Sequence, residues 1–220
     1  MFKQFRDLER GEPIIVGGDG AAGGPECNCC QFLSQKKIDV PLVYHSSGLM
    51  TEMINDIYPV LNEIYDITKI KPVVALERNN GGVFEIERLA SLNRGGKFEI
   101  FIMPEGAGKL LHDETARQRR MGWDTNTATR PNMLRDLKEA TDKRLIRIYD
   151  IDTIRELFSF IVSQTSSAWK AQHEKGAKDD RVLSLAIAWQ VYQKAPALQT
   201  RSKQYAEQRR RTYTLNPETA

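Results

Sequence analysis

Two acidic residues stand at the ends of apolar segments, where a carboxylate could take part in chemistry. Glu77 ends the apolar run Val73–Leu76, and Asp19 ends the segment Pro13–Gly18. Glycine-containing turns follow both acids, so a ligand or a hydrated metal could approach closely. Short apolar runs of this kind predict buried strands, and open α/β sheets bind ligands at the carboxyl ends of their strands. The simpler alternative for Glu77 is a capping or ion-paired role, and for Asp19 it is an Asp-Gly turn that merely begins a hairpin.

A further pair of acids precedes an apolar segment late in the chain. Asp179 and Asp180 lie just before Val182–Trp189, which is apolar nearly all round and therefore predicts a buried helix. Acids at the start of a helix are common, because they interact favourably with the helix dipole. Adjacent helix positions point about 100° apart, so at most one of the two acids should face a given ion. We favour Asp180 as the main ligand and Asp179 as a shared or more distant one.

Carboxylates that converge in one place repel each other and raise each other's pKa values. Divalent cations remove that cost, and magnesium prefers a few carboxylates together with waters and substrate phosphates. Two such ions about 4 Å apart can stabilise both the attacking and the leaving oxygen of a phosphodiester. The acids Asp19, Glu77, Asp179 and Asp180 therefore predict a nuclease site that holds two Mg²⁺ or Mn²⁺ ions.

The composition is typical of a globular protein. The chain has 220 residues, a net charge of +3 and 40% hydrophobic residues, which suits one large domain or two small ones. No apolar run approaches the ~20 residues that a membrane span needs, and the first residues lack the apolar stretch of a signal peptide. All three cysteines lie within Cys27–Cys30, which argues against a disulfide framework and favours a reducing compartment.

Hydrophobic periodicity predicts alternating strands and helices. The predicted strands are Pro13–Gly18, Cys29–Gln35, Val40–Ser46, Val73–Leu76, Phe98–Met103 and Leu145–Tyr149. The predicted helices begin near Ser47, Val83, Pro131, Thr153 and Asp179. Ser47 is the expected cap of the first helix. Thr153 and Glu156 form an expected capping box for a helix that includes Ile161. Residues 1–12 are polar and predict a helical or loose lead-in.

This order of elements, with acids at these points, resembles the ribonuclease-H-like fold, an α/β fold with a mixed central sheet flanked by helices. More specifically, the chain resembles the nuclease domain of the large terminase subunit of tailed bacteriophages. The matching segments are IIVGGDGAAGG, VVALERNNGG, GWDTNTATRPNML, IDTIRELFSFI and GAKDDRVLSLAIAW. They span residues 13–195, and the motifs ERNNGG and KDDRVLSLAIA are fairly specific when they occur together in this order. The resemblance implies that the first and fourth predicted strands are neighbours.

The resemblance implies a metal-dependent endonuclease that cuts concatemeric double-stranded DNA while a viral genome is packaged. It implies Asp19, Glu77 and Asp180, with Asp179, as catalytic and metal-binding residues. The implied partners are DNA, the terminase ATPase domain, the small terminase subunit and the portal or procapsid. The implied location is the host cytoplasm and not the mature virion. The G-x-x-x-x-G-K-[ST] motif of an ATPase does not occur. We therefore expect the chain to be an isolated nuclease domain that begins at an added methionine. The expected bounds are 13–195 for the nuclease domain and 196–220 for a basic tail.

Several basic residues could contact DNA phosphates, although charged runs are usually only solvated surface. The candidates are Arg78, Lys109, Arg117, Arg119, Arg120 and Lys178. Four of them belong to the segment Pro104–Asn126, which has little periodicity and which we expect to line the DNA path. Trp123 could stack on DNA or belong to the core. The segment GGPECNCC after Asp19 departs from the terminase pattern, so the first turn could differ.

Two other functions remain open at this stage. Gly17–Gly24 could be the phosphate loop of an actin-like or sugar-kinase fold, although no second loop of this kind is evident. The chain could also be a DNA-binding module without activity, although all the acids are present. A zinc site at Cys27, Cys29 and Cys30 is not favoured. Adjacent cysteines on a strand point to opposite faces, and no paired C-x₂₋₄-C spacing with a fourth ligand occurs. His45 is expected to be structural or exposed.

Overall fold

The computed structural model shows a mixed seven-stranded sheet flanked by helices. It describes residues 1–20, 27–79, 81–103, 120–165, 168–173 and 178–194. The strands are β1 Phe2–Gln4, β2 Ile14–Asp19, β3 Asn28–Ser34, β4 Asp39–Ser46, β5 Val73–Leu76, β6 Glu99–Ile100, β7 Arg147–Ile148, β8 Phe160–Thr165 and β9 Ala168–His173. The helices are α1 Met50–Thr68, α2 Gly82–Leu92, α3 Thr129–Asp142, α4 Ile151–Ser159 and α5 Asp180–Lys194.

The sheet has the strand order β1-β4-β3-β2-β5-β6, and β7 pairs with β4. Strands β2, β3 and β4 form an antiparallel meander, whereas β5 lies parallel to β2 and β6 lies parallel to β5. The pairing of β2 with β5 confirms that the first and fourth predicted strands are neighbours. It brings the carboxyl ends of β2 and β5 to the same edge of the sheet. In the described part of the chain, no helix is both long and apolar enough to cross a membrane.

The two faces of the sheet are covered by different helices, because successive strand residues point to opposite faces. Ile14 and Val16 pack with α1 and α2, whereas Ile15 packs with α3 and α5. Helix α5 lies very close to β2. A Cβ atom at Gly17 would meet the backbone oxygen of Ser184 at 2.2 Å. Glycine at this position therefore lets the buried helix approach the strand, and the start of α5 reaches the same sheet edge as Asp19.

The predicted caps of two helices are wrong, and in both helices an acid accepts a hydrogen bond at the first turn instead. Helix α1 begins at Met50 rather than at Ser47, and Glu52 Oε2 accepts a hydrogen bond of 3.1 Å from the Leu49 N–H. In α4, the backbone N–H and the hydroxyl of Thr153 both donate to Asp150 Oδ2. Glu156 instead accepts a hydrogen bond of 2.8 Å from the Val182 N–H, and so links α4 to the first turn of α5.

Four other segments differ from the expectation. Part of the polar lead-in is a strand, since Phe2–Gln4 pairs with β4. The predicted strands near 98–103 and 145–149 shorten to two residues each, β6 and β7. The helix after Thr153 ends at Ser159, and Ile161 lies in β8, which pairs with β9. The pairing partner of β8 comes later in the chain, so the local apolar spacing did not indicate a strand.

Candidate catalytic and metal-binding site

Asp19 and Glu77 lie side by side at the ends of two neighbouring parallel strands. Gly18 is in register with Leu76, and the Glu77 N–H donates a hydrogen bond of 2.8 Å to the Gly18 oxygen. The two acids are therefore the next pair along the strands. Each is only 7% exposed, and the two carboxyl groups are within hydrogen-bonding contact of each other. Two buried carboxyls in direct contact cannot both ionise at low cost.

Helix α5 brings two further acids toward this pair. Asp180 is its first residue and is 7% exposed, and Asp179 lies just before it. Burial raises the pKa of Asp19 well above its ordinary value, and the contact with Glu77 raises it further. The negative charges of Asp180 and Asp179 add to this shift. The structure thus brings all four predicted acids into one electrostatic neighbourhood at the sheet edge.

The turn after Glu77 holds that carboxylate in place. Asn79 Nδ2 donates one hydrogen bond of 3.1 Å to Glu77 Oε1 and another of 2.7 Å to the Thr125 oxygen. Gly81 adopts a φ of 87°, which favours glycine. A Cβ atom at Gly82 would meet the Glu77 backbone oxygen at 2.1 Å, so the turn folds tightly onto the strand end. Asn79 was not among the predicted site residues, although it belongs to the ERNNGG motif.

Trp123 belongs to the core and not to an exposed DNA surface. It is 1% exposed, its backbone N–H donates to the Leu76 backbone oxygen at 2.8 Å, and its backbone oxygen accepts from the Arg78 N–H at 2.9 Å. Its ring stacks with Phe101, and Lys194 Nζ lies 4.3 Å from the ring centroid. Trp123 therefore extends the sheet edge beside Glu77, and the idea that it stacks on DNA is wrong.

The two aspartates at the start of α5 have different surroundings. Arg130 donates a hydrogen bond of 2.5 Å to Asp179 Oδ2, which ties α3 to the residue before α5. The Asp179 side chain is 20% exposed, whereas Asp180 is buried. This ion pair places Arg130, the arginine of the Thr-Arg-Pro segment, beside the acids. Its role could not be derived from the sequence, because 49 positions separate the two partners.

A second cluster of potential ligands lies beside Asp180. One ligand atom from each of Cys27, His45 and Asp180 lies within 4.8 Å of the others. Lys178 Nζ lies 2.8 Å from the Cys27 sulfur. Burial, together with the nearby cations Arg181 and Lys178, lowers the pKa of His45 to about 4. In the sequence, His45 belongs to no motif and only the cysteines form a local group, so this arrangement was not predicted.

The predicted DNA contacts can be located only in part. Lys178 is exposed, and Arg78 and Arg120 are partly buried. Arg78 follows Glu77 directly, and Lys178 precedes Asp179, so both adjoin the acids. Lys109, Arg117 and Arg119 lie outside the described residues, as do most of the segment Pro104–Asn126 and the tail 196–220.

The fold is similar to that of solved large terminase nucleases. The large terminase nuclease from thermophilic phage G20c with bound magnesium has a TM-score of 0.61 and 12% identity, over 86% of each chain. The large terminase nuclease domain of Thermus phage P74-26 has a TM-score of 0.55 and 13% identity, over 86% of this chain and 84% of that chain. The G20c nuclease with bound cobalt has a TM-score of 0.51 and 12% identity, over 81% of each.

No family model matches the chain, and no curated protein matches it. At identities of 12–13%, the structural likeness shows the fold alone. It confirms the predicted α/β architecture with a mixed central sheet flanked by helices, and the resemblance to terminase nuclease domains.

Proposed function

We propose that this chain is a metal-dependent endodeoxyribonuclease, the nuclease domain of a viral DNA-packaging terminase. The observation that carries the proposal is the buried, hydrogen-bonded pair Asp19 and Glu77 at adjacent strand ends, with Asp180 close by on α5. Ligand sites of open α/β sheets lie at such strand ends. The similarity to phage terminase nucleases of the same fold supports this activity.

The chemistry of the acids fits divalent cations. Their oxygens are the hard ligands that magnesium and manganese prefer, and a cation would balance the repulsion that raises the pKa of buried Asp19. Related folds with bound magnesium and bound cobalt support a divalent ion. We propose two Mg²⁺ or Mn²⁺ ions on Asp19, Glu77 and Asp180, with Asp179 as a shared or more distant ligand.

When bound, the ions would activate the attacking water and stabilise the charge that develops on the scissile phosphate. The remaining residues position the acids for this task. Asn79 fixes the orientation of Glu77, and Arg130 fixes that of Asp179. Gly17 lets α5 lie against β2, so that Asp180 reaches the strand ends. Groups held in this way need little reorganisation when the substrate binds.

The substrate that we propose is concatemeric double-stranded DNA, cut without sequence preference during packaging. Phosphate contacts carry no sequence information, and Lys178, Arg78 and Arg120 could supply them together with Lys109, Arg117 and Arg119. By the same resemblance, we infer that the domain acts in the host cytoplasm with a terminase ATPase, the small terminase subunit and the portal or procapsid.

A plasmid-nicking assay tests the proposal. We expect cleavage in Mg²⁺ or Mn²⁺ and no cleavage in chelator. Asp19→Asn, Glu77→Gln and Asp180→Asn should each lose at least about 100-fold in rate, since each removes a charge needed in the transition state. Asp66→Asn is the matched control, because Asp66 is an exposed carboxylate on α1 that pairs with Lys97.

The outcomes separate the remaining alternatives. Asp19→Asn protein that cuts at the wild-type rate would overturn the site assignment. DNA binding without any metal-dependent cleavage would indicate an inactive DNA-binding module. Hydrolysis of ATP without DNA cleavage would favour the actin-like or sugar-kinase alternative.

A further inference from the structure

We propose that Cys27, His45 and Asp180 form a second metal site, which binds a thiophilic divalent ion such as Zn²⁺ or Co²⁺. The three residues come from the segment before β3, from β4 and from the start of α5. One ligand atom from each lies within 4.8 Å of the other two. In the described part of the chain, no other group of three or more histidine, cysteine or acidic side chains meets this distance.

The register of the sheet explains why these distant residues meet. Asp19 pairs with Cys29, and Cys29 pairs with His45, so these side chains point to the same face of the sheet. Cys27 lies two positions before Cys29, at the entry to β3. The face that they share is the one covered by α5, which carries Asp180. This face therefore carries a row of side chains, namely His45, Cys29, Asp19 and Glu77. Helix α5, which covers the face, brings Asp180 to this row.

The types of ligand distinguish this site from the acid pair. Sulfur, imidazole and carboxylate together are typical ligands of Zn²⁺, with bonds of about 2.0–2.3 Å. Magnesium prefers oxygen ligands only. An ion midway between two atoms about 4 Å apart would be about 2 Å from each, so small side-chain rotations would complete the coordination. Three protein ligands would leave one tetrahedral position open.

A positive charge already lies beside the Cys27 sulfur. The ammonium group of Lys178 lies 2.8 Å from the Cys27 sulfur. The Lys178 side chain is exposed, so it can turn into solvent when a metal ion replaces its charge. Cys27 itself is 3% exposed, and its burial would shield a metal–sulfur bond from competing ligands.

Asp180 belongs to this cluster, and its charge also acts on Asp19 of the pair Asp19–Glu77. An ion held by Cys27 and His45 would therefore share a carboxylate with the proposed hydrolytic site. This last consequence rests on the proposed function, whereas binding of the thiophilic ion does not. The two can be separated, because a metal–sulfur bond has its own spectroscopic signature and requires no DNA.

The test is a titration of the metal-free protein with Co²⁺, in a buffer that contains a reductant without thiols. We expect a sulfur-to-cobalt charge-transfer band in the near ultraviolet and strong visible bands from tetrahedral cobalt, which Zn²⁺ then removes by competition. Cys27→Ser should lose the charge-transfer band, and His45→Gln should weaken Co²⁺ binding about tenfold or more. Cys29→Ala is the matched control, because it removes a neighbouring thiol on the same face and should keep the band.

Circular dichroism and melting curves establish that each variant is folded. If the wild-type protein shows no sulfur-to-cobalt band, the proposal is overturned whatever the variants show. Co²⁺ binding through oxygen ligands only would overturn it too. A band that survives in folded Cys27→Ser, or one that folded Cys29→Ala loses, also overturns it. A sulfur band in a protein that cleaves no DNA would support this site and contradict the proposed nuclease.

Discussion

Strand β2 has a group of buried carboxylates near each end, and the two groups differ in what surrounds them. Near its start, Glu12 and Asp39 are 0% and 2% exposed, and both bind the guanidinium of Arg6. Burial is the largest single influence and would raise their pKa values. The hydrogen bonds from Arg6, together with those from Ser34 and the Glu9 N–H to Glu12 and from Tyr149 to Asp39, outweigh it, so both pKa values lie below their ordinary range. This group is a completed structural ion cluster.

At the carboxyl end of β2, Asp19 is also nearly inaccessible to solvent, but its net pKa shift has the opposite sign. Burial raises the pKa of Asp19, and the neighbouring Glu77, Asp180 and Asp179 raise it further. Low solvent exposure therefore does not distinguish a structural carboxylate from a proposed metal ligand. The sign of the nearby charge does, because repulsion between buried acids is a cost that a bound cation can remove.

The largest effect should follow from removal of the internal cation. Arg6→Met would leave Glu12 and Asp39 buried without their common partner, so we expect the free energy of unfolding to fall by about 3–5 kcal/mol. Urea denaturation measures this change. Arg155→Met is the matched control, since Arg155 is an exposed arginine that pairs with Asp152, and it should change the stability by less than about 0.5 kcal/mol. A loss below about 1 kcal/mol for Arg6→Met would mean that this cluster is not a structural unit.

The next effect should come from adding a cation at the other end of β2. An ion that binds only the folded state stabilises it by about 2.7 kcal/mol at 100 times its Kd. Mn²⁺ or Mg²⁺ should therefore raise the melting temperature of the wild-type protein and leave that of Asp19→Asn nearly unchanged. Differential scanning fluorimetry with and without chelator measures both. An equal shift in the two proteins would place the ions elsewhere and remove the contrast between the two ends.

Much of this arrangement could be predicted because it depends on local signals. Val73–Leu76 and the residues before Asp19 are short apolar runs, so both acids could be placed at strand ends before their pairing was known. The buried helix α5 follows from an apolar segment without a polar face. These features depend on neighbours within a few positions.

The contacts that could not be predicted join residues far apart in the chain. Arg6 and Asp39 are 33 positions apart, and Arg130 and Asp179 are 49 apart. Glu156 has the spacing of a capping box, but the Val182 N–H of another helix is its partner. The meeting of Cys27 with His45 depends on the register of β3 against β4, which residue types do not specify.

The smallest effect is also the sharpest test. The same change from glutamate to glutamine, made in the carboxylate group at each end of β2, should change the free energy of unfolding in opposite directions. In chelator, Glu77→Gln removes a charge from the repelling group and keeps an oxygen for the Asn79 hydrogen bond, so we expect a gain of about 0.5–2 kcal/mol. Glu12→Gln removes the charge that Arg6 binds, so we expect a loss. The folded-state pKa of Glu12 is lowered, so its contribution is present above its unfolded pKa and is lost as the pH falls through the folded value. The deficit of Glu12→Gln should therefore shrink in acid. Urea denaturation from pH 7 to pH 3 measures both variants, and a Glu77→Gln protein less stable than wild type in chelator would make that acid structural as well.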